Sequence, residues 1–180
     1  MADHRLTGIL LVGGASTRFG SPKALARLAG ETLAERAWRT LGEACSERIA
    51  VGKHADGLDL PFPLVDDGTA TRAPIAGVVA GLRAAASDPC VFLPVDCPLV
   101  TPELLLALAG ACSGDAAVPQ TGPLPGAYRR SALAVLEPRL AGGRLTLRDA
   151  VAELDAAVVI TDPSLLVNVN SREDLDRVHL

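Results

Sequence analysis

Residues 10–25 read LLVGGASTRFGSPKAL, and the interpretation of the whole chain starts from this stretch. Its first residues belong to an apolar run, Ile9 to Val12, which ends a predicted buried β-strand, Leu6 to Val12. The run stops at two adjacent glycines, where the absence of side chains allows the backbone to approach a ligand closely. Two cations, Arg18 and Lys23, follow in the same loop. The stretch therefore predicts a loop that holds an anionic ligand.

The spacing within this loop excludes two common glycine-rich phosphate motifs. A Walker A loop requires GxxxxGK[ST], whereas Gly20 is followed by Ser-Pro-Lys, and the GxGxxG pattern is absent. What remains is a turn whose backbone N–H groups can face phosphate oxygens, while Arg18 and Lys23 supply positive charge. On the glycines alone, an ordinary turn with surface cations is an equally good interpretation.

Composition limits the class of protein. The chain has 180 residues, 49% of them apolar, and a net charge of -4, so we expect one globular domain over residues 1–180. The acidic balance argues against a nucleic-acid partner. We find no signal peptide and no apolar run of membrane-spanning length, so we expect a cytoplasmic protein without a membrane partner. The four cysteines lack the spacing of a zinc site and predict reduced thiols.

Short apolar runs alternate with segments of helical period along the chain. The predicted strands are Leu6 to Val12, Arg48 to Val51, Phe62 to Val65, Cys90 to Val95, Ala116 to Val118 and Ala156 to Ile160. The predicted helices are Thr32 to Cys45, Ile75 to Ala86, Thr101 to Cys112, Ser131 to Leu140, Leu145 to Leu154 and a last one after Ser171. This alternation predicts an α/β fold, with a mostly parallel sheet covered by helices on both faces. The turn-rich segment PQTGPLPG at residues 119–126 predicts a loop.

Three aspartates follow predicted strands, where parallel sheets bind their ligands. Asp96 comes directly after the apolar run CVFLPV, and beside a polyphosphate its carboxylate would suit Mg²⁺. A turn or cap role is the alternative for this residue. Asp66 and Asp67 follow an earlier strand, and either one would orient a nucleotide or assist the metal. Since Asp-Asp-Gly is also good turn chemistry, the pattern leaves both roles open.

Amide and guanidinium groups in the second half of the chain offer further ligand contacts. Asn168 and Asn170 alternate in an extended segment, so both amides lie on one face and suit a heterocycle or a phosphate. Turn and cap chemistry before the last helix is the alternative. Arg129 and Arg130 either face a second anion or form a solvated pair.

Taken together, these segments resemble the MobA-like nucleotidyltransferases. The opening stretch resembles the signature LxGGxSxRxGxxK, and further landmarks recur in order: PIAG after Asp67, then PVDCP, PLPGAYRRSAL, GGRLTLRDAV and NVNSREDL. The resemblance covers residues 8–175, and the whole series is far more specific than any one motif. It implies a Rossmann-like nucleotidyltransferase fold and a Mg²⁺-dependent transfer of GMP from GTP to molybdopterin, with release of pyrophosphate.

The resemblance also implies residue roles. The nucleotide-binding set would be Leu11, Val12, Gly13, Gly14, Ala15, Ser16, Thr17, Arg18, Lys23, Asp67 and Asp96. The catalytic residues would be Arg18, Lys23 and Asp96, with Asp96 as the Mg²⁺ ligand. Asn168, Asn170 and Arg129 would lie on the molybdopterin side. Transient contact with proteins of molybdenum cofactor biosynthesis, or with acceptor proteins, also fits such an enzyme.

Two other functions remain open at this stage. One is a cytidylyltransferase, or a sugar- or polyol-phosphate nucleotidyltransferase, of the same superfamily. Gly13-Gly14 departs from the Ala-Gly typical of the cytidylyltransferase branch, which favours GTP over CTP. The other is a non-catalytic nucleotide-binding protein, against which the full set of Arg18, Lys23 and Asp96 argues.

Overall fold

The computed structural model describes residues 6–13 and 22–178. The strands are Thr7–Leu11 (β1), Arg27–Leu28 (β2), Glu31–Thr32 (β3), Glu47–Gly52 (β4), Leu64–Asp66 (β5), Cys90–Pro94 (β6), Ala116–Pro119 (β7), Gly126–Tyr128 (β8) and Ala156–Val159 (β9). The α-helices are Leu33–Ala44 (α1), Pro74–Ala84 (α2), Pro102–Ala111 (α3), Leu133–Ala141 (α4), Leu147–Ala152 (α5) and Arg172–Arg177 (α6). No helix within these described ranges is long and apolar enough to cross a membrane.

Seven strands form one mixed sheet in the order β5-β4-β1-β6-β8-β7-β9, and β2 pairs with β3 in a separate hairpin. The strands β5, β4, β1 and β6 run parallel to one another. Strand β8 runs antiparallel to both of its neighbours, whereas β7 and β9 are parallel. The predicted α/β fold with a mostly parallel sheet is confirmed.

Strand β1 contributes side chains to a hydrophobic core on each face of the sheet. Ile9 and Leu11 pack into one core with residues of α2, α4 and α5. Leu10 and Val12 pack into a second core with residues of α1 and α3. Successive side chains of a strand point to opposite faces, so a strand covered on both faces carries a near-continuous apolar run, here Ile9 to Val12. Helices therefore cover both faces of the sheet.

The helix starts follow local capping chemistry. Thr32 and Glu35 form a reciprocal capping box at the start of α1. The Thr101 hydroxyl accepts the N–H of Leu104 at the start of α3, where Pro102 is the first helical residue. Helices α1 and α3 match their predicted ranges because the residues that cap their starts are adjacent to them in sequence.

Strand β8 was not predicted from the sequence. The sequence analysis gives a loop over residues 119–126 and no strand between it and the helix that begins at Ser131. The segment is three residues long and shows no period of its own. Its pairing comes from distant partners, since Tyr128 lies opposite Cys90 of β6 and Ala116 of β7. Inside the sheet, Tyr128 packs edge-on against Phe92, with ring centroids 5.5 Å apart.

Candidate functional site

A cavity of about 440 Å³ opens at the carboxyl ends of the parallel strands. Its walls come from three strand ends, at residues 11–13, 51–53 and 94–97. The backbone joins these ends, because Val12 N–H donates to Val51 O at 3.0 Å and Val95 N–H donates to Leu11 O at 3.1 Å. Ligand sites of such sheets occur at this edge. The cavity is therefore the candidate active site.

Lys23 and Asp96 meet in this cavity. Lys23 begins a 3-10 turn, Lys23–Leu25, that is anchored by the buried side chain of Ala24. Its Nζ atom lies 3.3 Å from Oδ2 of Asp96, and the two side chains are 16% and 28% exposed. The structure thus brings together the cation and the carboxylate that the sequence analysis selected.

The segment around Val169 closes one side of the site. Val169 is fully buried, and its N–H donates to the carbonyl of Asp96 at 2.8 Å. On either side of it, Asn168 Oδ1 accepts from Cys97 Sγ at 3.0 Å and Asn170 Oδ1 accepts from Lys23 Nζ at 3.1 Å. Burial raises the pKa of the Cys97 thiol, so the thiol keeps its proton and donates a hydrogen bond to Asn168. Asn168 is thereby held next to Asp96, and Asn170 is held by Lys23 itself.

The structure separates Asp66 from Asp67. Asp66 accepts the N–H groups of His54 and Gly68, at 2.7 and 2.8 Å, and these bonds hold the pKa of its carboxyl below the ordinary value. Asp67 instead lines the cavity and pairs with Lys53, its Oδ1 atom lying 2.8 Å from Nζ. Asp66 therefore stabilises a turn, and Asp67 is the carboxylate of this pair that a ligand can reach.

Arg129 does not join the site. It follows β8, which runs antiparallel, so it lies at the edge of the sheet where β6 begins rather than where β6 ends at the cavity. Its Nε atom donates to the carbonyl of Cys112 at 2.9 Å, and its guanidinium lies 4.0 Å from Asp88. The molybdopterin-side role expected for Arg129 is therefore corrected, because the reversed direction of β8 moves it to the opposite edge.

Several cavity residues were missed by the sequence analysis. Lys53 and Arg72 both line the cavity, each paired with an aspartate, and Leu124 and Leu147 add apolar walls. One signal was available, because Lys53 directly follows β4 and so lies at the ligand edge of the sheet. The two leucines carried no signal, since an apolar residue in a loop or helix usually belongs to the core.

Five of the predicted nucleotide-binding residues lie outside the described residues. They are Gly14, Ala15, Ser16, Thr17 and Arg18. Leu11, Val12, Gly13, Lys23, Asp67 and Asp96 of the same set all line the cavity.

This fold and this site define a Rossmann-like nucleotidyltransferase. A solved structure of molybdopterin-guanine dinucleotide biosynthesis protein A from Archaeoglobus fulgidus is similar to the chain, with a TM-score of 0.81 and 26% identity over 95% of each chain. The family model described as the MobA-like NTP transferase domain matches residues 8–158, and the chain belongs to that family. The resemblance seen in the sequence is confirmed.

Two relatives match over nearly the whole chain. A probable molybdenum cofactor guanylyltransferase from Chloroflexus aggregans is 36% identical, covering 96% of this chain and 93% of its own. A molybdenum cofactor guanylyltransferase from Cereibacter sphaeroides is 34% identical, covering 96% of this chain and 95% of its own.

Proposed function

We propose that this chain transfers GMP from GTP to molybdopterin, with release of pyrophosphate. The observation that carries the proposal is the contact between Lys23 and Asp96 at the carboxyl ends of the sheet, in a chain of the MobA-like family. The names of the two relatives support the choice of substrates. All 180 residues would form one catalytic unit, because Asn168 and Asn170, beyond the family match, contact Cys97 and Lys23.

The reaction requires two anions to meet. A phosphate oxygen of molybdopterin attacks the α-phosphorus of GTP, a new P–O bond forms, and the bond to the bridging oxygen breaks as pyrophosphate leaves. Lys23 offers a mobile ammonium that can follow the phosphates and offset their charge. Arg18 would add a forked contact, a role that rests on its place in the sequence motif. Positioning and electrostatics account for such a step, so we assign no covalent nucleophile.

Asp96 is the residue that would hold Mg²⁺. The described residues contain no group of three or more His, Cys, Asp or Glu side chains able to bind a metal. A site with one carboxylate, Asp96, fits Mg²⁺ because this ion takes one or two carboxylates and completes its shell with phosphate oxygens and waters. When bound, Mg²⁺ would neutralise phosphate charge in the transition state. Asp96 contacts Lys23, so it would hold the proposed Mg²⁺ close to the lysine ammonium.

Different residues of the cavity would bind GTP and molybdopterin. Asp67, on the β4–β5 side, would accept hydrogen bonds from the nucleoside. Asn168 and Asn170, on the other side of Lys23, would face molybdopterin through their amides. We place the reaction in the cytoplasm, and we expect the product to pass to acceptor proteins by transient contact.

The proposal is tested by supplying the purified protein with Mg²⁺, molybdopterin and one of GTP, CTP, ATP or UTP. Pyrophosphate release and the nucleotide-linked pterin are measured together. The expected result is product from GTP alone. Product from CTP alone would move the chain to a cytidylyl transfer, and triphosphate binding without product would refute molybdopterin as the acceptor.

A further inference from the structure

Lys53 is one of two lysines in the chain, and it lines the cavity directly after β4. Its Nζ atom donates to Oδ1 and Oδ2 of Asp67 at 2.8 and 2.9 Å, and to the carbonyl of Thr69 at 2.5 Å. The Lys53 and Asp67 side chains are only 10% and 8% exposed. This is a buried ion pair in the wall of a site that must admit an anionic substrate.

The contacts of Lys53 turn its ammonium toward Asp67. Three acceptors lie within hydrogen-bond distance of Nζ, namely both oxygens of the Asp67 carboxylate and the carbonyl of Thr69. A ligand phosphate would compete with this buried pair for the same ammonium. We therefore expect the effect of Lys53 on a substrate to pass through Asp67.

Asp67 retains capacity for a ligand. Its carboxylate has about four lone-pair sites. Within the described part of the chain, Oδ1 accepts from Lys53 and from the N–H of Thr69, whereas Oδ2 accepts only from Lys53. One acceptor position on Oδ2 is left, and the residue lines the cavity. An N–H or O–H donor of a nucleoside suits this position.

The backbone supports the same arrangement. Asp67 N–H donates to the carbonyl of Gly52 at 2.9 Å, which fixes the residue to the end of β4. A side chain at Gly52 is excluded, because its Cβ would lie 2.7 Å from Cγ2 of Val12. The end of β4 therefore presents Lys53 and, through it, Asp67, rather than a polar group at position 52.

We propose that Lys53 is a positioning residue for nucleoside-triphosphate binding that acts only through Asp67. It holds the carboxylate with one acceptor position left for the nucleoside, and it cancels the negative charge that would otherwise repel the phosphates. This inference rests on the proposed function, since it assumes that the cavity binds a nucleoside triphosphate.

The test is a double-mutant cycle read by direct GTP binding, with Mg²⁺ and without acceptor. The wild type, Lys53→Met, Asp67→Asn and the double variant are compared by calorimetry. We expect each single substitution to weaken GTP binding about tenfold or more, the scale for losing a hydrogen bond to a charged group. The two losses should not add in the double variant, because both substitutions remove the same Lys53–Asp67 contact.

Two controls keep the result interpretable. Arg83→Met removes a cation from the Arg83–Glu137 pair on the surface, 63% exposed on the arginine side, and should leave GTP binding unchanged. Each single substitution leaves one buried charge without its partner, whereas the double variant carries no isolated buried charge. The double variant therefore gives the loss of GTP affinity for the pair as a whole, about tenfold or more, even where a single variant folds poorly. Thermal unfolding of every variant is measured alongside.

The outcomes separate the two proposals. Wild-type affinity in Asp67→Asn, or a further tenfold loss when Lys53→Met is added to it, would overturn the positioning role while leaving the transferase proposal intact. A wild-type protein that binds no triphosphate would overturn the transferase proposal itself.

Discussion

The Nζ atom of Lys23 lies 3.3 Å from Oδ2 of Asp96, although 73 positions separate the two residues in sequence. Strands β1 and β6 are neighbours in the sheet and run parallel, so the segments that follow them open at the same edge. The contact places a cation and a carboxylate together where a parallel sheet binds its ligands.

Replacement of Asp96 by alanine should reduce turnover more than about a hundredfold, the scale for losing one electrostatic contact in a transition state. The physical reason is that the substitution removes the carboxylate that would bind Mg²⁺ in the cavity. Steady-state release of pyrophosphate from GTP and molybdopterin measures the effect. Asp59→Ala, an exposed carboxylate after β4, serves as the matched control. A near-wild-type rate in Asp96→Ala would refute this role.

Lys23→Ala should also cost more than about a hundredfold in turnover, since the substitution removes the ammonium that would offset phosphate charge. The same assay is used, with Arg83→Ala as a surface cation control. Because Lys23 also contacts Asn170, the melting temperature is recorded to detect any loss of fold. Undiminished turnover in a folded Lys23→Ala protein would contradict the proposed mechanism.

Gly52→Ala should destabilise the protein by about 1–3 kcal/mol, the usual cost of overpacking. The added Cβ would lie 2.7 Å from Cγ2 of Val12, which is itself buried. Gly110→Ala is the matched control, because a Cβ there meets nothing within 4 Å and the site is in helix α3. That variant should gain up to about 0.5 kcal/mol, since glycine weakens a helix but Gly110 lies in the last turn of α3. Urea unfolding of both variants measures the change in the free energy of unfolding, which should be negative for Gly52→Ala and positive for Gly110→Ala.

Protonation of Asp66 should make the free energy of unfolding depend on pH in the acid range. The N–H groups of His54 and Gly68 lower the pKa of its carboxyl from the ordinary value of 3.8, so the ionised form stabilises the fold. That contribution is complete above 3.8 and is lost as the pH falls through the lower, folded-state pKa. Unfolding midpoints are measured from pH 2 to about 6. Asp66→Asn should flatten this part of the profile relative to the wild type, whereas an unchanged slope would show that Asp66 does not contribute.

Local patterns predicted most of the helices and strands. Helix α1 was predictable because its apolar period and its Thr32 cap both lie within the segment itself. Strand β8 was not, because three residues in a turn-rich region carry no period and gain their conformation from β6 and β7. Pairing with distant strands, rather than intrinsic preference, decided that element.

The sequence predicted only those residues of the candidate site whose role follows from their position directly after a strand. Asp96 was identified because a carboxylate directly after a fully apolar strand lies at the ligand edge. Arg129 was assigned to the wrong edge, since a pair of arginines does not reveal the direction of the strand before it. Lys53 was overlooked because one lysine after a strand resembles any surface cation, and its burial and its pairing with Asp67 are tertiary facts.

The sequence by itself determined the fold class, the family motifs and the residues that follow the strands, because each of these depends on local period, turn chemistry or residue order. Only the tertiary structure decided which of those residues meet. Lys23 contacts Asp96 and Asn170 across 73 and 147 positions, and Lys53 pairs with Asp67. Such contacts follow from the order and direction of strands in the sheet, which the periodicity of a single segment does not encode.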